Sequence, residues 1–163
     1  MKNKRLVFIS DSDKKTIAFG KMLSRFLKKG DIIALCGQLG SGKTTLVKGL
    51  AKGLRIKKQI NSPSFVILNL YKGKTILQHF DLYRVDYLKE VESVGFNDFI
   101  SLQAISVIEW ADKIKSLLPF EHLRINITTR FDKKRVLQLY SRGRRYDLLL
   151  QKLETHLKRT KNW

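Results

Sequence analysis

A glycine-rich segment that ends in lysine and threonine is the part of this sequence best suited to chemistry. Residues 37–44 read Gly-Gln-Leu-Gly-Ser-Gly-Lys-Thr, which satisfies the G-x-x-x-x-G-K-[ST] pattern of a phosphate-binding loop. Its glycines let backbone N–H groups approach a phosphate, and a helix N-terminus behind the loop adds partial positive charge. The alternative to a phosphate-binding loop is a glycine-rich turn without a ligand.

The segments on either side of this loop are those that phosphate binding requires. Residues 32–36 are an apolar run that predicts a buried strand, and residues 45–54 predict a helix. Lys43 is then expected to contact the β- and γ-phosphates and to act in catalysis, and the Thr44 hydroxyl is expected to bind Mg²⁺. The candidate nucleotide-binding residues of the loop are Gly37, Leu39, Gly40, Ser41, Gly42, Lys43, Thr44 and Thr45.

Hydrolysis of a bound nucleotide also requires a carboxylate near the metal, usually at the end of a hydrophobic strand. Glu109 follows the apolar segment 105–108, and Asp81 follows the segment 76–80. A carboxylate at the C-terminal end of a core strand points into the crevice where open α/β sheets bind ligands. Both residues are therefore candidate catalytic groups, and the alternative for each is a solvated acid at a strand end.

Two neighbours of these carboxylates and one missing motif bear on the type of nucleotide. Trp110 could stack on a base or fill the core. His79 lies inside a predicted strand, which favours a packed histidine over a general base. The Asn-Lys-x-Asp segment with which many GTPases read guanine is missing from the sequence. We therefore expect the nucleotide to be ATP, with Mg²⁺ as the metal.

Composition sets the broader limits. The 163 residues predict one domain, 1–163. Cys36 is the single cysteine, the apolar run at residues 6–9 is too short for a signal peptide, and no stretch could span a membrane. We therefore expect a cytoplasmic protein that does not bind membranes. The net charge of +19 favours phosphate-rich partners, although a lysine-rich composition alone would also explain it.

The hydrophobic pattern predicts alternating helices and strands with a hairpin insert. The expected fold is a three-layer α/β P-loop NTPase domain with a mixed, mainly parallel sheet and antiparallel hairpin strands. The predicted helices are 12–29, capped by Asp11 or Ser12, then 45–54, 86–94 and a basic C-terminal helix at 145–157, with a short helical turn at 97–102 and a tail at 158–163. The predicted strands are 32–36, 65–71, 75–80, 104–110, 123–128 and 135–140.

Several segments together resemble the TsaE (YjeE) family of bacterial ATPases for tRNA threonylcarbamoyladenosine synthesis. The family's loop is close to GDLGAGKTT, and residues 37–45 here read GQLGSGKTT. The order and spacing of the matching segments agree from about residue 11 to residue 150. Those segments are Ser62-Pro63-Ser64-Phe65, His79-Phe80-Asp81-Leu82-Tyr83-Arg84, the acidic stretch 90–95 that ends in glycine, Ile108-Glu109-Trp110, and Pro119.

The resemblance implies roles for individual residues. Thr44 and Glu109 would hold Mg²⁺, Asp81 would be needed for ATP turnover, and residues 62–65 would form a mobile switch. The remaining residues that it implies near the nucleotide are Asp13, Thr16, Trp110 and Arg135. Two departures from the family pattern are Gln38 in place of aspartate and Ser64 in place of threonine.

The resemblance also implies partners. They would be the two sugar-kinase-like subunits of the modification complex, of the TsaB and TsaD type, with tRNA reached through that complex. The modified base would be the adenosine beside the anticodon. Two other functions remain open at this point: a small-molecule kinase that uses Tyr83 and Arg84 as a lid, and a nucleic-acid-binding module that holds ATP as a structural ligand.

The C-terminal helix carries a separate hypothesis. Arg145, Lys152 and Arg159 are seven residues apart and are predicted to share one face, while leucines at 149, 150, 153 and 157 pack on the sheet. A solvated face is the default interpretation. The alternative is that this face docks the partner complex or tRNA.

Overall fold

The computed structural model describes residues 4–61, 68–85 and 100–160. Predictions for segments 62–67 and 86–99, which include the switch and the helix at 86–94, lie outside the described residues. The described strands are β1 (Arg5–Ser10), β2 (Ile32–Cys36), β3 (Leu68–Tyr71), β4 (Ile76–Asp81), β5 (Ala104–Glu109), β6 (His122–Thr129) and β7 (Arg135–Arg142). The described α-helices are α1 (Asp13–Leu23), α2 (Lys43–Gly53) and α3 (Arg144–Arg159), and 3₁₀ turns cover Ser24–Phe26 and Ala111–Ile114.

All seven of these strands belong to one sheet, in the order β1-β7-β6-β2-β5-β4-β3. β2 lies at the centre and pairs in parallel with β5 and β6, and β4 continues the parallel part beside β5. The β3–β4 hairpin and the β6–β7 and β1–β7 pairs are antiparallel. The predicted mixed sheet with antiparallel hairpin strands is confirmed. The expectation of a mainly parallel sheet is corrected, because β1 and β7 add antiparallel pairs, so the described strands form parallel and antiparallel pairs in equal number.

The two faces of the sheet are covered differently. Leucines and isoleucines of β2, β5, β6 and β7 pack on one face against the apolar sides of α1, α2 and α3. On the other face, a smaller cluster joins Ile32 and Ala34 to Phe80, Ile108 and Ile114 of the second 3₁₀ turn. The strand residues alternate between the two clusters because successive side chains point to opposite faces. None of the described helices is both long and apolar enough to cross a membrane.

The prediction from the sequence omitted β1 and made α1 too long. β1 was not predicted because its pairing with β7 joins residues more than a hundred positions apart, such as Phe8 with Leu137. The helix predicted to reach residue 29 ends at Leu23, where the Ser24 hydroxyl donates to the Lys21 carbonyl at 2.8 Å. Serine side chains compete with the helix in this way. The chain continues as a 3₁₀ turn, and Phe26 still packs on the core.

The structure of the C-terminal helix confirms the predicted apolar face and corrects the prediction of a shared basic face. Leu149, Leu150 and Leu153 are buried against the sheet. Arg145, however, does not lie on a free basic face. Its guanidinium donates to both carboxylate oxygens of Asp31, at 3.0 and 2.6 Å, and to the Phe26 carbonyl at 2.9 Å. Asp31 is 2% exposed, so Arg145 neutralises a buried charge between β2 and α3.

We expect Arg145→Ala to lower the free energy of unfolding by about 2–4 kcal/mol, because it leaves the buried Asp31 carboxylate without its counter-charge. The measurement is urea denaturation. Lys152→Ala removes an exposed cation from the same helix and is expected to change stability by about 0.5 kcal/mol or less. Equal stability of the two variants would show that the Arg145–Asp31 pair is not structural.

Candidate functional site

The phosphate-loop sequence spans the tight connection between the end of β2 and the start of α2. Gly42 has φ +104° immediately before the first helical residue, a left-handed conformation that favours glycine. A Cβ on Gly37 would collide with the backbone carbonyl oxygen of Ile127 in β6. The loop therefore lies directly against the neighbouring strand, and its backbone path depends on the absence of side chains at these glycines.

Lys43 is buried against its own loop. Its Nζ donates to the carbonyl oxygens of Gly37 at 2.7 Å and Gln38 at 2.9 Å, and lies 3.8 Å from the centre of the Trp110 ring. Burial lowers the pKa of the Lys43 ammonium, and the carboxylates of Glu109 and Asp81 oppose that shift. The lysine is held at the loop by carbonyl dipoles that an anionic ligand would replace.

Glu109 links the loop helix to two strands. Its Oε2 accepts from the Thr44 hydroxyl at 3.0 Å, and its Oε1 lies 2.8 Å from His79 Nε2. Glu109 is 2% exposed and His79 is fully buried. The second ring nitrogen, His79 Nδ1, has no hydrogen-bond partner among the described residues, which favours the tautomer that carries its proton on Nε2 and donates it to Glu109.

Asp81 lies beside Glu109 at the ends of β4 and β5, where the two residues are register partners. Its Oδ1 accepts from the Tyr83 backbone N–H at 3.0 Å, and the side chain is 8% exposed. Side-chain alternation puts Asp81, His79 and Glu109 on the α2 side of the sheet, together with the loop. The interpretation of Asp81 and Glu109 as solvated acids is wrong, since both carboxylates are buried at the loop.

A cavity of about 210 Å³ lies between the loop and these strand ends. Tyr83 and Trp110 form an aromatic wall with ring centres 5.2 Å apart, so Trp110 is divided between the cavity and the edge of the second core cluster. The Ser41 hydroxyl is buried in the loop and has no hydrogen-bond partner in the part of the chain that the structure describes. The residues that line the cavity are Leu39, Gly40, Gly42, Lys43, Thr44, Thr45, Asp81, Tyr83, Glu109 and Trp110.

Asp13, Thr16 and Arg135, which came from the resemblance alone, form one cluster beside this cavity. Arg135 pairs with Asp13 at 2.5 Å and donates to the Thr16 hydroxyl at 3.3 Å. A Cβ on Gly42 would lie 2.8 Å from Arg135 Nε, so the guanidinium lies against the loop. None of the three residues lines the cavity itself; Thr16 is fully buried and also bonds to Ser10 at 2.8 Å.

Two residues of the site were missed by reading the sequence. His79 was interpreted as a packed histidine, which its burial confirms, but its contact with Glu109 depends on the parallel register of β4 and β5. Tyr83 was considered only as part of a lid, and its ring forms a wall through contact with Trp110. A polar residue two positions before a strand-end acid, on the same face, was the signal that could have identified His79.

The donors present suit Mg²⁺ held together with a phosphate. Within the described residues, no group of three or more His, Cys, Asp or Glu side chains could bind a metal alone. Mg²⁺ usually takes one or two protein oxygens and completes its shell with water and phosphate. The Thr44 hydroxyl and the Glu109 carboxylate supply such oxygens, and the orphaned Ser41 hydroxyl is a further polar group within the loop.

A G-x-x-x-x-G-K-T loop between the central parallel strand and the following helix places this chain in the α/β class of P-loop proteins. The family model described as "Threonylcarbamoyl adenosine biosynthesis protein TsaE" matches residues 10–137. This chain belongs to the TsaE family, as the resemblance predicted.

Individual relatives agree with this assignment. The chain is 37% identical to the "tRNA threonylcarbamoyladenosine biosynthesis protein TsaE" of Bacillus subtilis, covering 94% of this chain and 96% of that protein. It is 35% identical to the protein of the same description from Treponema pallidum, covering 78% and 94%. The solved structure titled "Crystal structure of Bacillus subtilus YdiB" superposes with a TM-score of 0.84 at 33% identity, covering 96% and 98%.

Gly37 and Gly40 offer a matched test of the loop geometry. Both have positive φ, but a Cβ on Gly37 would meet the Ile127 carbonyl, whereas a Cβ on Gly40 would have nothing within 4 Å. We expect Gly40→Ala to cost about 1 kcal/mol of folding free energy, from the backbone conformation alone. Gly37→Ala should cost about 2–4 kcal/mol, because the loop must also move away from β6. Thermal or urea unfolding measures both, and equal losses would contradict the close approach.

Proposed function

We propose that this chain is a Mg²⁺-dependent ATP hydrolase that serves tRNA threonylcarbamoyladenosine biosynthesis. The observation that carries the proposal is the 3.0 Å contact between the Thr44 hydroxyl and the Glu109 carboxylate. One oxygen comes from the first turn of the loop helix and the other from the end of a core strand. P-loop NTPases use such a pair to hold Mg²⁺ beside the nucleotide phosphates. The names of the relatives support the pathway.

The side chains have distinct tasks in this proposal. The loop N–H groups and Lys43 bind the phosphates, and the ammonium leaves the carbonyls of Gly37 and Gln38 to do so. Thr44 and Glu109 supply metal ligands, while Asp81 orients the attacking water from the adjacent strand end. Mg-ATP, when bound, supplies the γ-phosphoryl group that water accepts. Catalysis then rests on positioning and charge stabilisation, as is usual for phosphoryl transfer.

The proposed partners are the two sugar-kinase-like subunits of the modification complex, of the TsaB and TsaD type. No described side chain at the cavity is an obvious strong base: Asp81 and Glu109 are the carboxylates there, and His79 is engaged by Glu109. We therefore propose that the isolated chain hydrolyses ATP slowly and that the partner complex completes the site. ATPase assays of the chain alone and with these subunits measure that dependence.

The division of labour between the two carboxylates tests the ATPase proposal. Glu109→Gln keeps the shape of the side chain but removes the charge that attracts Mg²⁺. It should weaken Mg-ATP binding about tenfold, ~1.4 kcal/mol, and leave metal-free ATP binding nearly unchanged. Asp81→Asn should retain Mg-ATP binding and lower the hydrolysis rate by about a hundredfold. Calorimetry with and without Mg²⁺, combined with single-turnover hydrolysis, provides both measurements.

Glu154→Gln on α3 is the matched control for these two variants, since it removes a half-exposed carboxylate that pairs with Lys158 and does not line the cavity. It should change neither quantity. Wild-type binding and hydrolysis in both site variants would contradict the proposal. Identical profiles of the two variants would contradict the separate roles of Glu109 and Asp81.

His79 is expected to be a positioning residue for Glu109. His79→Phe fills the buried space but leaves Glu109 Oε1 without a donor, which should cost about 1–3 kcal/mol of stability. The freed carboxylate should also raise the Mg²⁺ concentration that half-saturates ATP binding. His79→Gln restores an N–H donor and should recover the Mg²⁺ dependence. If His79→Phe loses stability while its Mg²⁺ dependence stays as in the wild type, the histidine is only a packing residue.

A further inference from the structure

A second cavity, of about 260 Å³, lies on the face of the sheet away from α2. It is formed where the second 3₁₀ turn and the loop after it meet the start of β6 and the end of β7. It shares no lining residue with the cavity at the phosphate loop. The residues that line it are Cys36, Ala111, Lys115, Leu118, Pro119, Phe120, His122, Arg124 and Arg142.

Three cations converge on this cavity without acidic partners. Lys115, Arg124 and Arg142 line it, and none of the three forms an ion pair with any described residue. None of the described side chains that line the cavity is acidic, although Asp112 lies near enough to raise the pKa of the Cys36 thiol. Arginine and lysine left without counter-charges around one concavity form a site for an anion.

The histidine and the cysteine at this cavity do not neutralise its charge. His122 Nδ1 lies 2.7 Å from the Pro119 carbonyl oxygen, so this nitrogen carries the proton and donates it to that carbonyl. Burial and the neighbouring Arg142 and Arg124 lower the pKa of His122. Burial raises the pKa of Cys36, which keeps that group a neutral thiol.

An aromatic side chain and an open sheet surface extend the cavity. Phe120 is 79% exposed at its rim. Side-chain alternation puts Arg124, Tyr140 and Arg5 on the same face as the cavity, and strand register aligns them in one row across β6, β7 and β1. The Arg5 guanidinium lies 5.6 Å from the Tyr140 ring centre. On the same face, Val7 and Ile9 are nearly half exposed, so the described residues leave this part of the sheet uncovered.

We propose that this surface binds single-stranded RNA, with a phosphate in the cavity and bases against Phe120 and Tyr140. Cations without acidic partners beside the exposed Phe120 ring and the half-buried Tyr140 ring suit a flexible strand, because every base has a face that can stack and every nucleotide carries a phosphate. The cavity volume of about 260 Å³ is slightly below the roughly 300–1,000 Å³ of small-molecule sites, which suits a single phosphate group better than a whole small-molecule ligand. The choice of RNA over DNA rests on the proposed function in tRNA modification.

The test is fluorescence anisotropy of a labelled, short single-stranded oligoribonucleotide, titrated with the full chain over a series of salt concentrations. Lys115→Gln with Arg142→Gln removes two exposed cations of the cavity. Lys152→Gln with Arg159→Gln removes two exposed cations of α3 and keeps the same net charge. The cavity variant should bind about tenfold more weakly, and its log–log salt slope should fall by about 1.4, as expected for two lost contacts to a single strand.

The control variant should bind within about twofold of the wild type. Phe120→Ala should weaken binding by about fivefold or more without changing the salt slope, because stacking is not a counterion effect. Equal losses in the cavity and α3 variants would overturn the proposal in favour of non-specific attraction by the +19 charge. Tighter binding of single-stranded DNA of the same sequence would contradict the choice of RNA.

Different variants test the RNA-binding proposal and the ATPase proposal, so that one can be contradicted without the other. The cavity variants should bind Mg-ATP as the wild type does, because they leave the phosphate loop intact. Lys43→Ala should lose ATP affinity and keep its affinity for the oligoribonucleotide. RNA binding that disappears with Lys43→Ala but persists in the cavity variant would assign the RNA contact to the phosphate loop and overturn the proposed site.

Discussion

The buried carboxylate of Glu109 is the group on which the arrangement of the site depends. A carboxylate that is 2% exposed must receive hydrogen bonds, and it receives them from the first turn of α2 and from β4. Those two contacts join the loop helix, the strand of Glu109 and the neighbouring strand at one edge of the sheet. Because the two donors come from different elements, loss of either one would leave one carboxylate oxygen of Glu109 without a hydrogen bond and would weaken the link between α2, β4 and β5.

The position of β2 explains why the ligand groups meet there. β2 is central and parallel to both of its neighbours, so the chain leaves it in a crevice bounded by the ends of β5 and β6. The loop from Gly37 crosses that crevice against the Ile127 carbonyl of β6 and returns along α2. Asp81 and Glu109 reach the crevice from the other side through the in-register ends of β4 and β5. Sheet register, rather than loop composition, brings the carboxylates to the lysine.

The sequence predicted most of what is local and little of what depends on distant pairing. The strand predicted at 32–36 has those bounds in the structure. The loop, its helix and the position of Glu109 at a strand end could also be predicted, because each depends on residues close in the chain. β1 was missed because its partner lies in β7, and the Arg145–Asp31 pair was missed because helical spacing says nothing about an acid on another element. The contact between His79 and Glu109 was missed for the same reason: it requires the register of two strands.

The contrast between Arg145 and Arg142 shows why net charge is a weak guide to binding surfaces. The two residues lie three positions apart in a strongly basic region, and the sequence alone gives no sign that their surroundings differ. Arg145 lies on the core side, where its charge is neutralised by the buried Asp31 and is therefore not available to an external ligand. Arg142 ends β7 on the opposite face, beside Lys115 and Arg124, and no described acid pairs with it. A positive charge can recruit an external anion only where the fold supplies no internal one, and the side of the sheet decides which arginines meet that condition.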